Sequence, residues 1–431
     1  MMTHSVTLDN AKCTGCTACI KRCPTEAIRV RNGKAVILSE ACVDCGECVR
    51  ACPYHAKKVV CDAWERLAEF DYTIALPEPS LYGQFRNLDD AGAVLQGLLN
   101  LGFDEVYEVA RAAEVLSDHA RREIQLRAET PEGRAESLPV ISSSCPACVR
   151  LILQRFPKLI GHIDTHLAPA ELAAIRARAD AVRKTGLSPD RIGVFFLTPC
   201  PAKATAAHHP VGLAGPVIDG ALSMTEAYLR LLPAMKRADT LPSVTAGLMG
   251  IGWAVSGGEG KALLGERYIS VDGIPNVISV LEDIEDGKLE NIEFVEVGAC
   301  TQGCLGGCLA VENPFVSKAR IRALQKYMPV SQNRYEPRPG EIIRYAQPLE
   351  PMPGWQLNTD MAAAMAMHRQ IGELAARLPG LDCSSCGAPR CRTLAEDVIR
   401  GEASERDCIF RLHQLRGEDG DSLPPPLRKA K

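Results

Sequence analysis

The chain has 431 residues, of which 46% are hydrophobic and 24% charged, with a formal net charge of −4. That length accommodates two or three domains around a sizeable core, and a near-balanced charge without a basic stripe gives no reason to expect a nucleic-acid partner. No apolar run approaches the roughly 18 residues of a membrane span, and the N-terminus lacks the apolar core of a signal peptide, so a cytoplasmic protein is expected.

Cysteine is the outlier, with 19 in the chain. Cytoplasmic thiols stay reduced, and these fall in short clusters, which suits metal ligation better than cross-linking. The nine histidines are scattered and none pairs with the cysteines. Mixed Cys/His zinc sites are therefore a weak competitor to iron–sulfur.

In chain order, the first feature is an internal repeat. Cys13-x2-Cys16-x2-Cys19-x3-Cys23-Pro24 recurs as Cys42-x2-Cys45-x2-Cys48-x3-Cys52-Pro53, with an apolar, strand-like stretch at 35–38 between them. This is the two-cluster ferredoxin pattern, in which three closely spaced cysteines wrap one cubane and the fourth reaches the other. Cys13, Cys16, Cys19 and Cys52 are thus assigned to one [4Fe–4S] cluster, and Cys42, Cys45, Cys48 and Cys23 to the second. Residues 1–62 are expected to form an α+β ferredoxin-like domain. A zinc ribbon would not need eight cysteines with a proline after each fourth one.

From residue 63 to 330, short apolar runs alternate with helical stretches. Residues 72–76 and 192–197 read as buried strands, and 91–101 and 170–184 as helices. Such alternation predicts an α/β domain with largely parallel sheets, whose sites lie at the carboxyl ends of strands. Three loops there carry cysteine beside Pro or Gly: Ser142-Ser143-Ser144-Cys145-Pro146, Thr198-Pro199-Cys200-Pro201-Ala202-Lys203, and the segment 296–307 with Cys300 and Cys304. Four thiolates from three loops make an all-cysteine site, a third cubane. The spacing of Cys300 and Cys304 puts both on one face if they share a helical turn. Gly303, Gly306 and Gly307 would let the backbone approach a cluster closely.

Residues 331–378 read as a Pro-rich linker followed by a helix at 361–378. A small helical module over 379–412 carries Cys383-x2-Cys386-x4-Cys391-x16-Cys408, a four-cysteine set that zinc could also occupy. The remainder, 413–431, reads as a disordered tail.

The three central loops resemble the signature segments of the [FeFe]-hydrogenase catalytic domain, over most of residues 63–318. Leu101-Gly102-Phe103-Asp104-Glu105-Val106, Ser256-Gly257-Gly258 and the segment 271–277 add to the likeness. The resemblance implies that Cys145, Cys200, Cys300 and Cys304 hold a [4Fe–4S] cluster. Cys304 would also bridge to a two-iron subsite carrying carbon monoxide, cyanide and an azadithiolate. Lys203 then matches a cyanide-contacting lysine, Ser80 a small hydroxyl position, and Gly257 and Gly258 a cofactor-binding segment. Departures from the prototypical pattern are equally informative. Ser144 stands in place of a proton-relaying cysteine, and Thr198 and Gly298 in place of two methionines. Ala168 replaces a serine and Ala120 a glutamate of the proton path, while Glu123 matches another glutamate. Cys148 replaces a tryptophan, and Cys308 interrupts a glycine run.

This pattern resembles the sensory branch of the family, which keeps the cluster ligands, loses the fast proton relay and carries an extra C-terminal cluster. The C-terminal spacing is also similar to the small [4Fe–4S] domain of corrinoid iron–sulfur proteins. A slow, hydrogen-sensing enzyme with four [4Fe–4S] clusters is therefore expected. Its partners would be H2 and protons, a redox protein such as a ferredoxin, diiron maturation proteins and a separate signalling protein. Cys61, Cys148 and Cys308 are left over. The alternative is an electron-transfer or cluster-assembly protein that lacks the diiron subsite.

Overall fold

The computed structural model describes residues 4–129, 139–237, 241–352 and 357–418. Four short strands open the chain: β1 (Val6–Leu8), β2 (Ile28–Arg31), β3 (Lys34–Ile37) and β4 (Lys57–Val59). β1 pairs antiparallel with β4, and β2 with β3. The small core between these pairs contains Val6, Ile20, Ile28, Ala35 and Ala56, and cysteine side chains complete it.

Seven further strands follow: β5 (Tyr72–Pro77), β6 (Glu105–Val106), β7 (Val140–Ile141), β8 (Ile192–Thr198), β9 (Gly220–Ser223), β10 (Tyr268–Asp272) and β11 (Phe294–Gly298). They form two parallel sheets, ordered β6-β5-β8-β9 and β10-β11-β7. β8 is buried along its whole length, as a parallel strand covered on both faces must be. Its residues alternate between two cores. Phe195 and Leu197 pack on one side with α1 (Gly92–Asn100), while Val194 and Phe196 pack on the other with α2 (Val109–Glu129).

The remaining helices that position the site are α3 (Pro146–Arg155), α4 (Pro169–Thr185), α5 (Pro201–His208) and α6 (Ile274–Glu285). All four carry proline in the first turn, where its missing N–H costs nothing and its fixed φ favours helix. α3 and α6 cover the smaller sheet, burying Leu151, Ile152, Ile274 and Leu281 against Ile141, Val295 and Val297.

The stretch expected to be a linker is instead strapped to the α/β domain. Glu341 takes both donors of Arg176 at 2.6 and 2.9 Å, Tyr345 N donates to Thr165 O at 2.8 Å, and Asn333 Nδ2 donates to Glu114 Oε2 at 2.7 Å. Its polar residues find partners across the domain, which proline content alone does not reveal. Beyond it lie α7 (Met361–Arg377), α8 (Cys391–Ile399) and α9 (Ile409–Glu418). α9 takes up the first residues of the expected disordered tail, whose part from 419 onward lies outside the described residues. No helix among the described residues is long and apolar enough to cross a membrane.

Candidate active site

Cys13, Cys16, Cys19 and Cys52 line one chamber of the N-terminal domain, together with Val30, Ala35, Ala56 and Lys57. Cys23, Cys42, Cys45 and Cys48 line a second, with Ile28, Ile37 and Asp44. Each chamber thus takes one cysteine from the other repeat. Burial pushes the thiols of Cys23, Cys42, Cys45 and Cys48 above their ordinary range. Thiols that resist ionisation alone yield their protons to a metal that binds the thiolate. Lys57 Nζ is buried without a hydrogen-bond partner and lowers the pKa of Cys19 and Cys48 against the effect of burial. An orphaned ammonium beside convergent thiols fits an anionic iron–sulfur cluster.

The central site is built by strand ends. β7 stops at Ile141 and Pro146 opens α3, so Cys145 lies at the helix N-cap. β8 stops at Thr198 and Pro201 opens α5, which puts Cys200 at a second N-cap. After β11 the chain turns through left-handed backbone at Gln302 (φ 66°) and Gly303 (φ 71°), and the 3₁₀ turn Gly303–Gly306 carries Cys304. Cys300 and Cys304 therefore do not share a helical face, contrary to the expectation from their spacing. Gly306 and Gly307 serve the packing of backbone on backbone: a Cβ on either would lie 2.1 Å from Thr301 O or 2.4 Å from Pro199 O.

Cys145, Cys200, Cys300 and Cys304 nonetheless line a single cavity. Lys203, on the first turn of α5, points into it and donates to Cys304 Sγ at 3.3 Å and Glu78 Oε1 at 3.1 Å. Burial works against the ammonium charge, but the Cys304 sulfur and the Glu78 carboxylate outweigh it and hold the pKa well above the usual lysine value. Four convergent thiols around a fixed cation suit a cluster with further anionic ligands.

Ser80 is fully buried but lies outside the cavity lining. Its backbone N donates to Glu78 Oε2 at 2.7 Å, and its hydroxyl bonds the same carboxylate oxygen, so Ser80 orients Glu78. Gly257 and Gly258 are also outside the lining. Gly257 N and Gly260 N donate to the two oxygens of Glu296 at 2.8 and 2.9 Å, and Glu296 does face the cavity.

The principal residues missed by motif reading are carboxylates. Glu78, Glu171, Glu259 and Glu296 all line the cavity and are buried. Ser142 Oγ donates to Glu259 Oε2 at 2.6 Å, and the Ser144 side chain bonds the same glutamate. Burial, followed by the charge of Glu296, pushes Glu259 up to about 8; burial also raises Glu296. Glu296 is bonded in turn by the Ser270 side chain, and Ser270 Oγ meets Ser256 Oγ at 3.1 Å near the surface. Burial pushes Glu171, which accepts from Ala168 N at 2.9 Å, up to about 7. Two signals were available in the sequence: Glu296 lies between Val295 and Val297 on a buried strand, and Glu259 directly follows the Ser256-Gly257-Gly258 segment.

The substituted positions divide. Ser144, Ala168 and Gly298 line the cavity, whereas Thr198 stays within its own turn and donates to Cys200 O at 2.9 Å. Ala120 packs with Ile124 and Val140, and Glu123 pairs with Arg344 and lies 3.4 Å from His166 Nε2; neither lines the cavity. Cys148 is buried and its hydrogen bond lowers Cys145 to about 6. Cys308 faces the N-terminal domain: a Cβ on Gly46 would sit 2.9 Å from its sulfur. Arg50 Nη1 reaches Cys300 Sγ at 3.6 Å across the same junction. Cys61 packs at the edge of the core around α2.

Three segments of the chain match known families. The chain matches the iron only hydrogenase large subunit, C-terminal domain, over residues 71–238 and 256–308, just over half its length. It also matches a 4Fe-4S dicluster domain over 5–53 and an Fe-S cluster family over 378–410. The periplasmic [Fe] hydrogenase large subunit of Nitratidesulfovibrio vulgaris is 27% identical over 370 residues, covering 70% of this chain and 86% of the relative. Iron hydrogenase 1 of Clostridium pasteurianum is 25% identical over 231 residues, or 48% of this chain and 40% of that protein. A variant of the [FeFe]-hydrogenase HydA1 from Chlamydomonas reinhardtii superposes with a TM-score of 0.48 at 17% identity, covering 63% of this chain and 90% of that one. With four cysteines from three strand ends around one cavity and a family match across the segments that carry them, the chain belongs to the iron-only, or [FeFe], hydrogenase family.

Proposed function

We propose that the chain is a slow [FeFe]-hydrogenase that reports hydrogen, exchanging electrons with a partner through [4Fe–4S] clusters. The observation that carries this reading is Lys203, held charged inside the cavity between Cys304 and Glu78. A cubane alone needs thiolates, whereas a part-buried ammonium at the sulfur of Cys304 suits additional anionic ligands, which charge-assisted donors satisfy away from water. Cys145, Cys200, Cys300 and Cys304 would hold the cubane, and Cys304 would bridge to a diiron subsite carrying carbon monoxide, cyanide and an azadithiolate. When bound, that group supplies the heterolytic splitting and formation of H2, and the protein supplies position and electrostatics. Eight cysteines of the N-terminal chambers and four of the C-terminal module bring the count to four cubanes.

The chain's own residues account for proton movement. The Ser144 hydroxyl faces the cavity and bonds Glu259, which keeps its proton to about pH 8. Glu259 hands a proton outward only as Glu296 passes one toward Ser270 and Ser256. None of the three serines ionises near neutrality, so each serine step is concerted and the relay slow. Slow exchange favours a reporter over a metabolic catalyst. The reading includes a ferredoxin-like redox partner, diiron maturation proteins, a separate signalling protein and a cytoplasmic location, the last resting on the cysteine chemistry alone.

A second reading, an electron-transfer or cluster-assembly protein with cubanes only, is favoured by the Glu78 ion pair, which satisfies Lys203 without any cofactor. Infrared spectroscopy and hydrogen uptake on anaerobically matured protein separate the two. Metal-bound carbon monoxide and cyanide bands with measurable, slow uptake are expected. A full complement of cubane iron without such bands would establish the second reading.

A further inference from the structure

We infer that the C-terminal module is the outer station of one electron line, in series with the N-terminal chambers rather than a separate appendage. This rests on the iron reading of its four cysteines, and not on the diiron subsite.

The module is locked onto β2. Arg29 is 3% exposed and Asp397, on α8, is 0% exposed. Their side chains pair bidentately, with Nε to Oδ2 at 2.7 Å and Nη2 to Oδ1 at 2.9 Å. Arg31 bonds the same carboxylate from the next outward position on the strand. Charges buried on both sides of a contact need each other, since either alone would be stranded away from water. The backbones also meet: Val30 N donates to Gly387 O at 2.8 Å, and Gly387 has φ +81° with no room for a side chain, as its Cβ would lie 2.0 Å from Val30 O. At the other end of β2, Arg390 Nε pairs with Glu26 at 2.9 Å, and the Thr393 hydroxyl bonds the same glutamate. Contacts at both ends of a four-residue strand fix position and orientation.

That register puts ligand loops side by side. Val30, whose backbone holds Gly387, lines the chamber of Cys13, Cys16, Cys19 and Cys52. Arg31 Nη1 donates to the carbonyl of Cys386 at 3.3 Å, and Lys21, between Cys19 and Cys23, lies within electrostatic reach of Cys383. The second chamber borders the central site, with Gly46 against Cys308 and Arg50 at Cys300. The order is therefore the C-terminal cluster, the Cys13 chamber, the Cys42 chamber and the central cubane. Cys383 is exposed at the outer end, where an external donor or acceptor can approach. Each transfer moves one electron between neighbouring cubanes, reducing one as the other is oxidised.

The test uses full-length protein carrying cubanes but no diiron subsite, reduced fully and examined by electron paramagnetic resonance. The reduced wild type should show spin coupling that broadens the signal of the Cys13-chamber cluster. Cys391→Ala should remove the C-terminal signal and that broadening while leaving the central cubane's signal unchanged. Asp397→Ala should weaken the coupling at unchanged iron content. Gly387→Val is the second route should Asp397→Ala fail to fold, because it crowds the backbone contact without stranding a charge. A C-terminal signal uncoupled in the wild type, a Cys391→Ala effect on the central cubane instead, or zinc in place of iron in the module would each overturn the inference.

Discussion

The N-terminal chambers and the central cavity use the same ligand, cysteine, yet differ in what surrounds it. Apart from cysteine, tyrosine and neutral residues, each chamber is lined by one ionisable side chain, Lys57 in the first and Asp44 in the second. The central cavity is lined by five: Glu78, Glu171, Lys203, Glu259 and Glu296. The chambers' two charges have structural or electrostatic tasks: Lys57 offsets thiolate charge, and Asp44 ties the domains together. In the cavity, Glu171 and Glu259 are pushed to about 7 and 8, where a carboxyl group can gain and lose a proton under ordinary conditions. A site that passes only electrons is best left without such groups. A site that couples electrons to protons needs them near its working pH. The difference locates the chemistry more sharply than the cysteines do.

The largest expected effect falls on the ligand that distinguishes the two regions. Cys304→Ala should abolish diiron retention and all hydrogen turnover, with the iron of both N-terminal chambers retained. Infrared bands of carbon monoxide and cyanide at normal intensity in that variant would break the assignment of Cys304 as the bridge. The carboxylate side of the comparison is tested by Glu259→Gln, which keeps the hydrogen bond from Ser142 and loses the titration. Turnover should fall by about 10²- to 10⁴-fold, the usual cost of losing a general acid–base group, with iron content unchanged. On the proposed relay through protonated Glu259, the wild-type rate of proton reduction should decline as pH rises through about 8. The variant's profile should be flat there. An unchanged profile would show that protons travel another way.

The two regions were also unequally visible in the amino-acid sequence. Within each N-terminal repeat the four cysteines fall inside eleven residues, so local spacing carries most of their geometry. The central cysteines come from loops more than fifty residues apart, and only the strand–Cys–Pro–helix pattern and the family likeness bring them together. Glu259 and Glu296 had no motif of their own, only their neighbours in the chain, the Ser256-Gly257-Gly258 segment and the valines of β11, to mark them. The proline-rich stretch misled for the opposite reason: its composition reads as a linker, while Glu341 and Asn333 bind partners far away in the chain.

Asp44 tests the claim that the chambers' charges have such tasks. It is 1% exposed and accepts from Thr205 Oγ1 at 2.7 Å and Arg150 Nη1 at 3.3 Å, joining the N-terminal domain to α5 and α3. Asp44→Ala strands the buried Arg150 guanidinium, so a loss of about 3–5 kcal/mol is expected. Glu47→Ala removes the partly exposed pair with Arg50 and should cost about 1 kcal/mol or less. Denaturant midpoints followed by circular dichroism on the cluster-loaded protein compare the two. Equal shifts would deny Asp44 its docking role.

The smallest effect, and the finest distinction, concerns Ser144. Its hydroxyl lies where the cavity meets the carboxylate pair, bonded to Glu259. A relay group works best with a pKa near the working pH, and a free thiol titrates at about 8.5, close to the value of Glu259. Ser144→Cys should therefore match donor to acceptor and raise turnover. The gain should stay below the roughly 10²- to 10⁴-fold of a complete acid–base group, because Ala168 and Gly298 still shape the cavity. Burial also sets a limit: it raises the cavity thiols of Cys200 and Cys304, and Cys145 escapes that effect through its hydrogen bond with Cys148. Pairing Ser144→Cys with Glu259→Gln separates these effects. If the thiol acts through Glu259, the double variant should be as slow as Glu259→Gln alone. A double variant as fast as Ser144→Cys would place the proton's way out elsewhere in the cavity wall, with Glu171 the next group to replace.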